Sequence, residues 1–293
     1  MESLKFRKFP FSHGLISFLR DKDIRGIRRL SVILPQLLLP KVEDVGEHII
    51  QTIHGFNLKI NPCIDNGVEL SLYQTGTYEK GILSLLSEFL KLGDVFIDVG
   101  ANIGLMSIYA SKLVGEFGCV IAFEAHPETN KILEYNFKLN KIENYLNQGF
   151  ALGSSALQTV IYDNWQINRG GASLVINTKD SKSYPVEVHT LDCAIGSENI
   201  APKVIKIDVE GFELEVLKGA KETIIKYQPI LIIELSSQRD NNYEINELMD
   251  YLDGFGIYNY FKLKGTKERV SKLIQIHSRE ELPEHDNIIC QPK

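Results

Sequence analysis

Hydrophobic positions along this chain change period repeatedly, and each change marks an element. Ile82, Leu85, Leu86, Phe89 and Leu90 recur at helical spacing, with Gly93 as a stop signal. The run Val95-Phe96-Ile97-Asp98-Val99 is too short for a helix and reads as a buried strand. The alternation then repeats: a helix over 106–113, a strand over 119–124, a helix over 128–139 and a strand near 148–152. After an irregular insert come a strand over 204–208, a helix over 213–226 and a strand over 230–234. Continuous apolar strands alternating with helices imply parallel strands covered on both faces. The pattern therefore predicts a doubly wound, Rossmann-like α/β sheet, which binds ligands beyond the carboxyl ends of its strands. Asp98, Glu124, Asp208 and Glu234 all fall at such ends.

The flanks are less regular. Residues 1–65 read as a helical N-terminal extension, and 66–293 as the α/β domain, with a first strand pair expected near 56–60 and 69–73. The insert, about 154–188, contains alternating stretches at 159–162, 172–176 and 186–189 that suggest extra strands or a lid. Its polar-aromatic residues (Tyr162, Asp163, Asn164, Trp165, Asn168) suit sugar stacking but are read as core, and 168–173 as a loop able to close over an acceptor. Segments 257–263 and 287–291 predict a C-terminal hairpin at the sheet edge. The longest apolar run, 30–39, is broken by Pro35 and falls short of the ~20 residues a spanning helix needs. It is expected to pack on the domain or on another subunit, which makes a homo-oligomer possible, rather than on a membrane surface. With no secretory pattern and no transmembrane span, the cytoplasm is the expected location.

Composition narrows the function classes. A chain of 293 residues, 44% hydrophobic and 24% charged, can bury roughly three quarters of its unfolded surface in a core. The net charge of −6 argues against a partner gripped through phosphates, so no nucleic-acid partner is expected. Arg20, Lys22, Arg25, Arg28 and Arg29 crowd one stretch, read as a solvated helix face. Cys63, Cys119, Cys193 and Cys290 are far apart and form no CxxC pair, so reduced thiols and no structural zinc are expected.

The chemistry concentrates after the first strand, in Asp98-Val99-Gly100-Ala101-Asn102-Ile103-Gly104. Gly100 allows a sharp turn and close approach of backbone to a ligand. Gly104 lets the next helix pack closely, and Asn102 tolerates unusual backbone angles. The middle glycine of G-x-G-x-x-G is missing, which suits a ligand without a pyrophosphate. Glu124 ends the next strand, where a carboxylate can accept both ribose hydroxyls of an adenosine. Phe123 and Ala125 can flank a purine, and Asp98 can meet an ammonium group.

These segments resemble the FkbM-type methyltransferase family. The resemblance rests on residues 95–104 and 120–127, on Val188-His189-Thr190-Leu191-Asp192, on residues 205–213, and on Gly76-Thr77-Tyr78-Glu79. It implies a seven-stranded methyltransferase sheet, S-adenosylmethionine as donor with S-adenosylhomocysteine as product, and a hydroxyl oxygen as acceptor. It places Asp98, Gly100, Asn102, Gly104 and Glu124 on the donor, Tyr78 and Glu79 near the donor's amino-acid end, and Asp208 and Glu210 by the reaction centre. Ala101, Ala125 and Ala151 complete the donor set. Ala125-His126 departs from the family, which commonly has proline after the acid, and His126 is read as a peripheral contact.

The leading expectation is an O-methyltransferase acting on a sugar, glycan or other small-molecule hydroxyl. Asp208 is the first candidate for general base, with Glu210, Glu234 and His189 as alternatives. Glu210 can equally cap the helix that follows it. Asp208, Glu210 and Glu234 could gather a divalent cation, but only carboxylates support it and no metal ligands are assigned. A nicotinamide oxidoreductase, a nucleic-acid methyltransferase and a non-catalytic nucleotide-binding module are the rival readings.

Overall fold

The computed structural model describes residues 4–21, 25–163, 171–175, 182–196, 200–235 and 245–293, with 25–29 in backbone only. Trp165, Asn164 and Asn168 of the insert and Lys22 of the basic stretch lie outside the described residues.

The first part of the chain holds β1 (Lys5–Arg7), α1 (Pro10–Arg20), α2 (Arg25–Leu38), β2 (His48–Gln51) and β3 (Asn57–Ile60). β1, β2 and β3 form a small sheet of their own, so this region is not purely helical. The partner of β3 is β2, in antiparallel register. The expected strand at 69–73 is instead part of helix α3 (Val68–Thr75). Its alternating pattern is overridden locally: Asp65 Oδ1 accepts from the amides of Gly67 and Glu69, which starts the helix, and left-handed Gly76 (φ +71°) ends it.

From α4 (Lys80–Phe89) the expected alternation follows: β4 (Val95–Val99), α5 (Leu105–Val114), β5 (Cys119–Phe123), α6 (Pro127–Leu139) and β6 (Tyr145–Gln148). After the insert come α7 (Leu191–Ile195), β10 (Pro202–Ile207), α8 (Glu213–Gly219), α9 (Lys221–Tyr227), β11 (Ile230–Leu235) and α10 (Ile245–Phe255). The helix expected over 213–226 is thus two, broken at Ala220. β12 (Tyr258–Leu263), β13 (Leu273–Gln275) and β14 (Asp286–Pro292) close the chain.

The main sheet has the order β13-β12-β14-β11-β10-β4-β5-β6. Six of its strands are those the periodicity predicts; β6 lies just ahead of the strand expected near 148–152, and short β13 adds an eighth strand at the edge. β4 pairs in parallel with both β5 and β10: the chain runs from β4 outward through β5 and β6, then crosses back to β10 on the other side of β4, so the strand order reverses at this point. That is the topological switch point where such sheets open a crevice. Side chains alternate between two cores. Phe96, Val204 and Ile232 enter the layer of α4, α5 and α6, while Ile97, Ile205 and Ile233 enter the layer of α8 and α10. Each is fully buried, worth about 1.5–3 kcal/mol, so the strand ends are held on a rigid base.

The insert forms a third sheet of β7 (Ala151–Leu152), β9 (Ser183–His189) and β8 (Leu157–Tyr162). The strand expected near 148–152 is therefore split between two sheets. The stretch 172–176 contributes, among the described residues, a single bridge from Ser173 to Tyr162. Through Ser173, whose hydroxyl donates to the Glu210 carbonyl at 2.8 Å, the insert reaches the carboxyl end of β10.

Candidate active site

The crevice beyond β4, β5 and β10 has two lobes that share Val68, Tyr78, Gly100, Asn102 and Asp208. Backbone geometry explains the wall between them. Gly100 (φ +82°) presses so close to β10 that a Cβ would stand 1.8 Å from the Asp208 carbonyl oxygen. Gly100 and Ala101 both donate to the Phe123 carbonyl, at 2.9 and 3.0 Å, which ties the loop to β5. Gly104 (φ +93°) faces away from both lobes. A Cβ there would sit 2.6 Å from Leu133, so its role is close packing of α5.

Five described non-glycine residues have positive φ: Glu79, Asn102, Lys141, Glu210 and Gln228. Gln228 caps a helix, and Lys141 directly follows the Asn140 cap of α6. The other three line the crevice, and backbone strain of this kind persists where a site demands it.

The first lobe carries Glu124, Ala125, Phe123, Phe150 and Ala151. Glu124 is clasped by its own loop: the amides of Asn102 and His126 donate to its two oxygens at 2.8 and 2.9 Å. Burial nevertheless dominates and pushes its carboxyl up to about 7. Phe123 and Phe150 meet edge to face with ring centroids 5.5 Å apart, giving an apolar wall beside it.

The second lobe carries Tyr78, Glu79, Asp98, Ala101 and Lys206. Asp98 is 1% exposed. Its Oδ2 accepts from the Ser107 hydroxyl at 2.5 Å, but its buried Oδ1 has no hydrogen-bond partner among the described residues. Burial raises its pKa, with the nearby Lys206 ammonium opposing. The parallel register sets Lys206 beside Asp98 on the same face of the sheet. Lys206 is 3% exposed and its Nζ lies 2.6 Å from Asp208 Oδ2.

Asp208 stands where the lobes meet. It is hydrogen-bonded to Glu234 and flanked by Lys206 and Lys267. Although burial opposes it, the two cations hold Asp208 ionised well below the usual carboxylate range, while burial and the Asp208 charge drive Glu234 upward. Lys267 bridges Glu79, at 2.7 Å, and Glu234. It comes from the β12–β13 connection, whose Lys267 carbonyl accepts from the Gly81 amide at 2.8 Å. Only glycine fits at 81, since a Cβ would sit 2.5 Å from the Arg269 carbonyl. Glu210 lines the first lobe, and Asp208, Glu210 and Glu234 present oxygens within 4.8 Å of one another.

Besides Gly104, two expected residues lie elsewhere. His189 lines neither lobe; it is paired with Glu187 at 3.1 Å, and its ring rests on Phe150 with centroids 4.6 Å apart. His126 is buried outside the lobes, where its side chain accepts from the Thr129 amide and caps α6. Lys206, Lys267 and Phe150 are cleft residues that sequence reasoning left without a role. Lys206 had a signal, a lone cation in the apolar run Val204-Ile205-Lys206-Ile207. Lys267 had none, because it sits in an ordinary charged segment.

A crevice at the switch point, with carboxylates at four strand ends and no dinucleotide glycine pattern, narrows the fold to a few chemistries. The methyltransferase FkbM domain matches residues 98–260, more than half of the chain. This chain belongs to the FkbM methyltransferase family. Among curated relatives, the hexuronic acid methyltransferase AglP of Haloferax volcanii is 32% identical over 143 residues, covering 48% of this chain and 56% of that protein. A probable cobalt-precorrin-6B C(15)-methyltransferase (decarboxylating) of Sulfolobus acidocaldarius is 28% identical over 173 residues, covering 52% of this chain and 84% of that protein. The crystal structure of methyltransferase FkbM from Methylobacillus flagellatus superposes with a TM-score of 0.44 at 16% identity, over 75% of this chain and 52% of that one. This FkbM-family chain thus spans only about half the length of both the Haloferax protein and the Methylobacillus one.

Proposed function

We propose that this protein transfers the methyl group of S-adenosylmethionine to a hydroxyl oxygen of a sugar or another small molecule. The observation that carries this reading is the pair of buried acids across the glycine loop. Asp98 has an orphaned Oδ1 in one lobe, and Glu124 stands beside an aromatic wall in the other. An orphaned buried carboxylate oxygen is costly unless a ligand donor completes it, and an α-ammonium does. Glu124 can accept ribose hydroxyls while Phe123 and Phe150 flank the base. When bound, S-adenosylmethionine supplies an electrophilic methyl group on a good leaving group, so positioning contributes much of the rate.

The acceptor hydroxyl then belongs beside Asp208 and Glu210. Sequence reasoning favours Asp208 as base, but its two lysine neighbours leave it ionised and weakly basic, suited to orienting the hydroxyl by accepting its hydrogen bond. Glu210, on a strained backbone at the cavity wall, takes the proton. Glu210→Gln is expected to lower kcat by about 10²-fold or more with an unchanged donor KM. An unaltered kcat would remove Glu210 from the mechanism. Lys206 and Lys267 already neutralise the carboxylate group, so turnover in excess chelator is expected to match that in its absence.

Calorimetry with S-adenosylhomocysteine tests the whole reading, and no binding to the folded protein would end it. Binding should also depend on pH. Hydrogen bonds from ribose hydroxyls favour ionised Glu124, whose carboxyl sits at about 7 in the free protein. Affinity should therefore rise about tenfold between pH 6 and 8 and level off above. A pH-independent Kd would place the ligand away from Glu124. For the acceptor, similarity to a hexuronic acid methyltransferase supports a sugar, and glycans bearing uronic acids are the first panel to try.

A further inference from the structure

Two N-terminal helices turn apolar residues outward. Among the described side chains of α2, residues 30–38, the buried positions are Ser31 and Pro35, followed by Leu39, spaced four apart on one stripe of about 80°. The opposite stripe is Leu30, Ile33 and Leu37, exposed by 49%, 47% and 73%. On α1 the buried residues are His13, Ile16 and Ser17, while Phe11 and Phe18, one heptad apart, are 78% and 55% exposed. A helix on a water-facing surface ordinarily shows the reverse arrangement. The two helices pack against each other and so present their apolar residues from one unit.

Charge distinguishes the possible occupants. Residues 1–41 hold nine of the 32 basic side chains and three of the 38 acidic ones, a net +6. The chain as a whole carries −6, so the remaining 252 residues carry −12. A second copy docked face to face would bring two cationic regions together. A surface with an apolar interior and anionic headgroups complements both properties at once. α2, with 14 residues, can lie in such an interface but not cross it.

We propose that the α1–α2 unit seats on the surface of a lipid bilayer containing anionic lipids. The seat is mechanically tied to the cleft. His13 Nε2 donates to the Tyr73 carbonyl at 2.8 Å and Lys80 pairs with Asp21, on either side of Tyr78 and Glu79. Membrane association would therefore hold one wall of the active site near the bilayer.

Co-sedimentation of the full chain with vesicles tests this. Vesicles of phosphatidylcholine with about one quarter phosphatidylglycerol should bind at least tenfold more tightly than phosphatidylcholine alone, and binding should weaken as salt rises from about 0.1 to 0.5 M. The double variant Ile33→Glu/Leu37→Glu should lose at least tenfold in vesicle affinity while keeping its thermal midpoint and its S-adenosylhomocysteine binding. No sedimentation with either vesicle type would overturn the proposal. So would equal binding by the double variant, or light scattering showing a dimer that the variant splits into monomers.

Discussion

Replacing Glu124 with alanine should weaken S-adenosylhomocysteine binding by about a hundredfold at pH 8, where the native carboxylate is ionised. Hydrogen bonds to a charged acceptor contribute about 1.5–3 kcal/mol each, and two ribose hydroxyls are lost together. The same carboxylate holds the amides of Asn102 and His126, so alanine also releases the loop that shapes the cleft. Glu124→Gln separates the two contributions. It keeps one carbonyl oxygen for the loop and should retain the fold, yet it removes the charge and should cost about tenfold in affinity. Isothermal titration of both variants, with circular dichroism to verify folding, gives the comparison. If alanine binds the ligand as the native protein does, the adenosine does not lie against Glu124.

Lys206→Met should produce the largest loss of stability of any single change in the cleft, about 3–5 kcal/mol near neutral pH. The lysine is 3% exposed and stands between Asp98, which is deeply buried, and Asp208, which is half-buried where the lobes meet. Methionine fills its volume but leaves the two carboxylates without this cation. In a chain of this size such a change lowers the thermal midpoint by roughly 10 °C. Adding Asp208→Asn should restore part of the loss, because one of the stranded charges is then removed. The deficit should also shrink at lower pH, as the buried acids take up protons. A Lys206→Met protein as stable as the parent would mean that Lys267 alone balances the cluster.

Much of the cleft's lining was legible from local sequence. The glycine loop and the acids at the ends of β4, β5, β10 and β11 follow from strand periodicity, since residues two apart share a face and strand ends meet at one edge of a parallel sheet. The strand mistaken at 69–73 shows the limit of that reasoning. Its alternation suits either element until the Asp65 cap and the Gly76 stop are weighed. His189 shows another limit: it belongs to a resembling motif, yet β9 sets its ring on Phe150, outside both lobes.

By itself, the sequence determined the main alternation of strands and helices from α4 onward, the doubly wound sheet and the placement of four carboxylates at the carboxyl ends of its strands, because these depend on periodicities within a few residues. Only the tertiary structure decided how those carboxylates are charged and what covers them. Lys206 meets Asp98 through the register of β10 on β4, 108 residues apart in sequence. Lys267 reaches Glu79 and Glu234 because Gly81 lets a distant loop approach α4. The outward apolar faces of α1 and α2 were equally invisible, since a helix pattern shows that one side is apolar but not which side the rest of the molecule covers. Electrostatic environment and exposure are sums over neighbours from the whole chain, and only the fold brings those neighbours together.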